Sequence, residues 1–210
     1  MPNQIFPQLE QLLTQILATL DLKLPSDVPE KILQYLTILE QWNQIYNLTA
    51  IRNPEEMLYK HIADSLACAP YLQGQRWLDV GSGAGLPGIP LALAFPDWEW
   101  TLLDSNGKKT RFLLQVKTLL NLSNVTIVQS RVENFKPQQC FDGVIARAFA
   151  KLSDMMVVTG GLYCRGGRLW ALKGVYPEAE LQAVTLPFTV QAIKVPGLEE
   201  QRHLVCVSMN

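Results

Sequence analysis

The sequence predicts an α/β fold with a mostly parallel sheet, preceded by a helical extension and closed by an antiparallel hairpin. Apolar residues recur at helical spacing over the first 70 residues, and short apolar runs alternate with helical segments from residue 75 onward. The last two apolar runs are joined by a loop too short for a parallel crossover. We therefore expect a helical extension over residues 1–74, packed on a main domain over residues 75–210.

The extension should contain three helices. The first follows from apolar residues at helical spacing between Leu9 and Leu20. Ser26 or Asp27 is a candidate cap for the second helix, and Pro29 suits its first turn. Asn53 is followed by a proline and two acids, and it marks the start of the third helix, which should run to residue 70.

The main domain should alternate strands and helices. The predicted strands are residues 76–80, 99–103, 125–128, 141–146 and 168–172, and the predicted helices are residues 85–95, 108–120, 152–158 and 177–183. Residues 188–195 and 203–209 should then form the antiparallel hairpin. Parallel strands that end in such a hairpin are typical of the Rossmann-like class I methyltransferase fold rather than of its dehydrogenase variant.

The composition is that of a folded protein, with 48% apolar and 18% charged residues and a net charge of −1. Residues 1–64 carry eight acids and four bases, whereas residues 65–210 carry eleven acids and fourteen bases. Bulk charge therefore does not attract nucleic acid, and any site for a polyanion should lie on the second part of the chain.

The four cysteines form neither a C-x-x-C pair nor a Cys/His cluster with zinc spacing. We therefore predict four free thiols in a reducing compartment and no metal site. The N-terminus lacks the features of a signal peptide, and no apolar run is long enough to span a membrane. These observations predict a cytoplasmic protein without a membrane partner.

The most informative segment is the glycine-rich turn between the first strand of the main domain and the following helix, where open α/β sheets bind ligands. Gly81, Gly83 and Gly85 match the G-x-G-x-G of methyltransferases. Gly83, Gly85 and Gly88 match the G-x-G-x-x-G of dinucleotide-binding proteins. Asp104 ends the second strand and could bind ribose hydroxyls in either case. The glycines alone do not decide the cofactor.

Three features favour S-adenosyl-L-methionine over a nicotinamide cofactor. Asp79 precedes the first glycine by two residues, where a carboxylate attracts a cationic methionine group but repels a pyrophosphate. Pro87 interrupts the helix start that a pyrophosphate would use. The C-terminal hairpin agrees with a methyltransferase. A glycine turn without any ligand is the remaining alternative.

Several strings along the chain resemble the RsmG (GidB) family. They are Y-N-L-T at 46–49, L-D-V-G at 78–81, G-L-P-G-I-P at 85–90, L-L-D-S at 102–105, Q-S-R-V-E at 129–133, R-A-F-A at 147–150, A-L-K-G at 171–174 and R-H-L-V at 202–205. Enzymes of this family methylate N7 of a guanine in small-subunit (16S) ribosomal RNA. The resemblance extends from about Ile32 to the C-terminus.

The resemblance implies which residues contact S-adenosylmethionine. These are Gly81, Leu86, Val132, Glu133 and Arg147, with Asp104 as the ribose acid. Asp79, Gly83 and Gly85 complete the predicted cofactor site from the glycine turn itself. The implied partner is 16S ribosomal RNA, in the small ribosomal subunit or its precursor, and we expect a monomer.

Guanine N7 carries a lone pair and no proton, so methyl transfer to it needs no general base. Catalysis should consist mainly of in-line positioning. Arg147 and Lys173 follow the fourth and fifth predicted strands, and each could bind the purine O6 as a catalytic-site cation. The alternatives are a surface ion pair for Arg147 and a merely solvated side chain for Lys173.

Basic residues of the main domain are candidates for binding RNA phosphates. They are Lys108, Lys109, Arg111, Arg165 and Arg202. Charge alone favours a solvated helix face, and only the family resemblance favours RNA. His61 and His203 should be structural hydrogen-bonding groups. Trp42 and Tyr46 could stack on RNA bases, but packing in the core is the simpler interpretation.

Three other functions remain open from the sequence. The chain could methylate a small molecule, in which case turnover would not need RNA. It could be a nicotinamide oxidoreductase, which would prefer NAD to S-adenosylmethionine. It could also be a ribosome assembly factor that binds the cofactor without using it.

Overall fold

The structure is a computed structural model that describes residues 5–209, with side chains from residue 7 onward. The α-helices are α1 (Ile5–Leu20), α2 (Val28–Tyr46), α3 (Pro54–Met57), α4 (Asp64–Leu66), α5 (Gly88–Ala94), α6 (Gly107–Leu119), α7 (Leu152–Thr159) and α8 (Glu178–Leu181). The strands are β1 (Arg76–Val80), β2 (Glu99–Asp104), β3 (Val125–Gln129), β4 (Phe141–Arg147), β5 (Tyr163–Lys173), β6 (Phe188–Ala192) and β7 (His203–Ser208).

The seven strands form one sheet in the order β3-β2-β1-β4-β5-β7-β6. The first five strands in the chain pair in parallel, β7 pairs antiparallel with β5, and β6 pairs antiparallel with β7. The predicted fold class is thereby confirmed, including the C-terminal hairpin. Because β1 to β5 are parallel, their carboxyl ends share one edge of the sheet, and β7 begins at the same edge, with His203 opposite Lys173.

Helices cover both faces of the sheet. α1, α2, α5 and α6 pack on one face in an apolar core with residues of the strands, and α7 and α8 pack on the other face. The helices of the extension thus share their core with the main domain. None of the helices in residues 5–209 combines the length and the apolar composition that a membrane span requires.

The third predicted helix is less regular than its sequence pattern suggests. Asn53 caps it as expected, accepting hydrogen bonds from the backbone N–H groups of Glu55 and Glu56. After α3, however, the chain makes a π-helical stretch over Leu58–Ala63 before α4 and a short 3₁₀ turn over Ala69–Tyr71. A π-helical stretch widens the backbone locally and often lies at a functional site.

Strand β5 is longer than predicted, since it starts at Tyr163 rather than at residue 168. The first half of β5 contains Gly166 and Gly167. Glycines are unfavourable inside a strand, so the sequence pattern does not predict a strand there. The pairing with β4 shifts register between Phe141 and Gly143, which accommodates this irregular segment.

The prediction of four free thiols is wrong for two of them. Cys140 and Cys164 form a disulfide with a Cα–Cα distance of 4.9 Å. Cys140 immediately precedes β4 and Cys164 lies in β5, and the pairing of Phe141 with Tyr163 brings the two residues side by side. Spacing along the chain could not show this proximity. Cys68 and Cys206 are free and buried, as predicted.

Four tryptophans and a phenylalanine form an aromatic cluster under β1 and β2. The Trp77 ring stacks on Trp98 and Trp100 at centroid distances of 5.7 and 5.6 Å, and Trp170 lies 6.4 Å from Trp77. Phe95 stacks on Trp98 at 4.5 Å. A Cβ at Gly143 would lie 2.3 Å from the Trp77 ring, so glycine at this position of β4 is required for the indole to fit.

One buried hydrogen bond joins the extension to the glycine turn. The hydroxyl group of Tyr35, in α2, donates to the backbone carbonyl of Ala84 at 2.7 Å, and the Tyr35 side chain is fully buried. Because the carbonyl of Ala84 would otherwise lose a partner inside the protein, this bond favours one position of α2 over the turn.

We predict that Tyr35→Phe lowers the free energy of unfolding by about 1–3 kcal/mol, the cost of leaving a buried acceptor unsatisfied. Urea denaturation followed by circular dichroism measures the change. Tyr46→Phe is the matched control, because Tyr46 is partly exposed and should lose little. Equal unfolding curves for Tyr35→Phe and wild type would contradict the prediction.

Candidate active site

The glycine turn after β1 has left-handed backbone at three glycines. Gly81, Gly83 and Gly85 have φ values of +70°, +60° and +85°. Such angles strain residues that carry a Cβ, which explains why glycines alternate here. The backbone N–H groups of Gly81 and Ser82 donate to the carbonyl of Leu103 at 2.8 and 3.1 Å, and this fixes the turn against the end of β2.

The carboxylate of Asp104 fixes the other side of the turn. One of its oxygens accepts a hydrogen bond from the N–H of Gly83 at 2.9 Å, and the other accepts from the N–H of Asn106 at 2.8 Å. The ammonium of Lys109 lies 3.7 Å from the same carboxylate. Asp104 thus joins the glycine turn to the start of α6, and its second lone pairs remain for a ligand.

Asp79 is fully buried below the turn. Its Oδ2 accepts a hydrogen bond from the N–H of Gly88 at 3.0 Å, while its Oδ1 has no hydrogen-bond partner among the described residues. Burial raises the pKa of this carboxyl to about 7, although the N–H of Gly88 and the charge of Arg147 oppose the shift. When ionised, this buried carboxylate would attract a cationic group above the turn through its charge.

A cavity of about 360 Å³ opens beside the turn at the carboxyl edge of the sheet. Its lining consists of Val80, Gly81, Leu103, Asp104, Ser105, Lys109, Ser130, Arg131, Val132, Glu133, Ala148 and Phe149. The volume suits a nucleoside-sized ligand. The cavity brings together four of the predicted cofactor residues, Gly81, Asp104, Val132 and Glu133, from the ends of β1, β2 and β3.

The other predicted cofactor residues, including the buried Asp79, lie around this cavity rather than on its wall. The N–H of Gly83 is bound to Asp104, and the N–H of Gly85 donates to the carbonyl of Ser82. Leu86 is a buried core residue beside the turn. Arg147 lines a neighbouring cleft instead.

Two cavity residues that follow β4, Ala148 and Phe149, are absent from the set predicted from the sequence. Ala148 has a φ of +51°, which is unusual for a residue with a side chain. The Phe149 ring covers Gly81 so closely that a Cβ on that glycine would lie 2.5 Å from the ring, and the ring is 39% exposed. The R-A-F-A string at 147–150 indicates Arg147 but not these two residues, although an aromatic residue directly after a strand is a signal of a ligand-contacting position.

A second cleft of about 540 Å³ lies on the other side of Ala148, which borders both spaces. It is lined by Ile51, Lys60, His61, Asp64, Arg147, Ala148, Leu172, Lys173, Gly174 and Arg202. The cleft therefore separates the helical extension from the carboxyl ends of β4 and β5 and the start of β7. Both predicted catalytic residues, Arg147 and Lys173, lie in this cleft.

The cations of the cleft have acidic partners. The Nη1 of Arg147 donates to Asp64 and to the carbonyl of Lys60, each at 3.1 Å. The ammonium of Lys173 lies 2.9 Å from Glu180, whose carboxylate also accepts from the N–H of Leu152. Lys173 is thus held beside α8 and is only partly free to reach a ligand.

The predicted RNA-binding residues are not all on one face. Lys108 and Lys109 lie at the start of α6, next to the cavity edge, with the ammonium of Lys108 5.7 Å from the Tyr46 ring centroid. Arg111 donates to the carbonyl of Gly107 in the same turn. Arg165 instead follows Cys164 near the start of β5, at the opposite edge of the sheet. The prediction that Arg165 joins the others is therefore wrong.

The histidines and Trp42 make structural contacts. The Nε2 of His61 lies 2.9 Å from the hydroxyl of Thr49, and burial, aided by Arg147, lowers the pKa of this buried imidazole to about 4, so it is uncharged at neutral pH. His203 Nδ1 lies 3.0 Å from the carbonyl of Gly174. Trp42 packs on Phe112 at the edge of the core.

A seven-stranded sheet with a C-terminal hairpin, a left-handed glycine turn after the first strand and a nucleoside-sized cavity beside that turn are together the features of an S-adenosylmethionine-dependent methyltransferase. Solved structures share this fold. A putative O-methyltransferase from Klebsiella pneumoniae superposes with a TM-score of 0.60 over 96% of this chain and 98% of that chain, at 14% identity. A methyltransferase from Aquifex aeolicus superposes with a TM-score of 0.57 over 75% of this chain and 94% of that one, also at 14% identity.

Sequence relatives narrow the class. The family described as GidB, rRNA small subunit methyltransferase G, matches residues 29–205. The ribosomal RNA small subunit methyltransferase G of Sodalis glossinidius is 50% identical over 94% of this chain and 98% of its own length. That of Pseudomonas aeruginosa is 50% identical over 89% of each chain. The chain belongs to the GidB (RsmG) family.

We predict that S-adenosylmethionine binds more tightly at pH 8 than at pH 6. The pKa of Asp79 is raised to about 7, so the carboxyl is mostly protonated at pH 6 and mostly ionised at pH 8, where it attracts the cationic cofactor. Calorimetric titration at both pH values measures the change, which should be about three- to tenfold. Asp79→Asn is the control, because any pH effect from ionisation of the cofactor itself occurs in the variant and in the wild type alike. An identical pH dependence in the two proteins would contradict the prediction.

Proposed function

We propose that this chain transfers the methyl group of S-adenosylmethionine to N7 of a guanine in 16S ribosomal RNA. The single observation that supports this most is the arrangement of two spaces around Ala148, a nucleoside-sized cavity at the glycine turn and a cation-lined cleft beside it. The cavity can hold a nucleoside cofactor and the cleft can hold a target base, and the two ligands would approach each other at Ala148, which lines both spaces. The proposed substrate agrees with the names of the sequence relatives.

We propose that the residues of the cavity hold the cofactor. Asp104 accepts from the ribose hydroxyls, Val132 and Glu133 edge the adenine, and the charge of Asp79, buried below the turn, attracts the cationic methionine end. Gly81, Gly83, Gly85 and Leu86 shape the turn on which it lies. The cofactor supplies an electrophilic methyl group on a cationic sulfur. Holding the acceptor nitrogen in line with that methyl group can account for about 7–11 kcal/mol of the activation barrier.

The chain needs no general base, because guanine N7 has no proton to lose. The proposed role of Arg147 is to donate hydrogen bonds to the O6 edge of the guanine, next to Ala148. Lys173 is the second proposed cation, with its contact to Glu180 limiting its reach. His61 is uncharged at neutral pH and keeps the cleft wall in place through Thr49.

RNA phosphates are proposed to bind along Lys108, Lys109, Arg111 and Arg202, all at the carboxyl edge of the sheet. Because the net charge of the chain is −1, the folded small subunit or its precursor should supply further contacts. We propose a cytoplasmic monomer in which residues 1–74 form an extension and residues 75–210 the methyltransferase domain.

The proposal is tested by incubating small ribosomal subunits that lack the modification with the protein and methyl-labelled cofactor. We expect label in one guanine of 16S RNA, identified by nuclease mapping and mass analysis as 7-methylguanosine. Labelling of a small molecule without RNA, binding of NAD in preference to the cofactor, or cofactor binding without methyl transfer would each overturn the proposal in favour of a different function.

We predict that the combined change Lys108→Gln and Arg111→Gln reduces the salt dependence of RNA binding. Each phosphate contact that is lost should reduce the slope of log affinity against log salt by about 1. Binding to small subunits between low and moderate salt measures the slope. Arg165→Gln is the matched control and should leave the slope unchanged, because Arg165 lies at the opposite edge of the sheet. A flat salt response in the wild type would contradict an RNA-binding face.

A further inference from the structure

One buried acid in the extension binds two arginines of the main domain. Asp64 Oδ2 lies 3.1 Å from Nη1 of Arg147, and Asp64 Oδ1 lies 2.7 Å from Nε of Arg202. Asp64 belongs to α4, Arg147 ends β4, and Arg202 immediately precedes β7. Each carboxylate oxygen therefore binds the guanidinium group of a different arginine, one at the end of β4 and one just before β7.

The acid is more deeply buried than the two arginines that it binds. The Asp64 side chain is 7% exposed, whereas those of Arg147 and Arg202 are 21% and 22% exposed. All three residues line the cleft beside Ala148. A carboxylate buried this far requires well-placed partners, since desolvation of an unpaired charge is costly. Two cations on one anion leave the group with a net positive charge toward the cleft.

Each arginine keeps donors that these contacts do not use. Arg147 bonds Asp64 and the carbonyl of Lys60 through Nη1 alone. Arg202 bonds Asp64 through Nε and the carbonyl of Gln201 through Nη1. A guanidinium group has five N–H donors in a fixed plane, so fixing one corner also directs the others.

We propose that Asp64 is a positioning residue for methyl transfer. It orients Arg147 toward the target base and Arg202 toward a phosphate of the same nucleotide, so that the base meets the cofactor cavity at Ala148. Asp64 itself touches neither the base nor the cofactor. This inference rests on the proposed function, because it assigns the cleft to the substrate nucleotide.

The alternative is that Asp64 only fastens the extension to the sheet. The two roles differ in what the conservative change does. Asp64→Glu keeps the negative charge and can keep both ion pairs, but its additional methylene displaces the two guanidinium groups. A fastening role tolerates that displacement, whereas a positioning role does not, since a misplacement of about 1 Å can lower a rate about 100-fold.

The test compares wild type, Asp64→Glu and Asp64→Asn on small subunits that lack the methyl group. We expect Asp64→Glu to keep the wild-type melting temperature and cofactor affinity but to lose about 10- to 100-fold in kcat/KM for subunits. Asp64→Asn should lose at least as much. Glu99→Gln is the matched control, because it removes the Arg76 ion pair at the opposite edge of the sheet and should leave all parameters unchanged.

Single substitutions of the two arginines separate the effect on substrate binding from the effect on the rate of methyl transfer. Arg202→Gln should raise KM for subunits with little change in kcat, whereas Arg147→Gln should lower kcat. Wild-type activity of a folded Asp64→Glu variant, or a loss of cofactor affinity equal to the loss of kcat/KM, would overturn the inference and leave the proposed function intact. Absence of methyl transfer by the wild type would instead overturn the proposed function.

Discussion

The carboxylate of Asp104 is the constraint on which the functional edge of the molecule depends. It accepts N–H groups from Gly83 on one side and from Asn106 on the other, and so it joins a turn that only glycines can make to the helix that follows β2. These contacts of Asp104 position the cavity wall and the start of α6, and with that helix its basic side chains. Because backbone N–H groups hold it in place, the carboxylate is preorganised before any ligand arrives, and binding requires little further ordering.

The helical extension contributes to the site as well as to the core. Tyr35 bonds the carbonyl of Ala84 behind the glycine turn, and Asp64 bonds two arginines at the mouth of the cleft. Polar groups therefore hold the extension at the glycine turn and at the cleft beside Ala148, while apolar packing fills the space between them. The π-helical stretch before α4 places Lys60, His61 and Asp64 on the wall of one cleft.

Most of the fold could be predicted from the sequence because its signals are local. Alternating strands and helices, the capping Asn53 and the short loop between the last strands each express a preference of neighbouring residues, and the structure confirms them. The extra length of β5 could not be predicted, since Gly166 and Gly167 lie in the irregular segment between its first pair with β4, Phe141 with Tyr163, and the next, Gly143 with Arg168. The disulfide and the Asp64 ion pairs depend on residues far apart in the chain that only the folded structure brings together. For the same reason Arg165 could not be placed from its charge alone. Val132 and Glu133, which line the cavity, came from the family resemblance and not from the local pattern.

The aromatic cluster beside β1 and β2 determines the intrinsic tryptophan fluorescence of this protein. Four of the five tryptophans lie within this cluster, and their indole rings are close enough to exchange excitation energy. Trp42, beside α6, is the remaining emitter. Intrinsic fluorescence will therefore be dominated by the packing of the central strands at the end remote from the glycine turn. The fluorescence intensity will therefore change when the sheet unfolds and will respond only weakly to a ligand in the cavity. A variant in which Trp42 is the single tryptophan would instead report on the region beside α6.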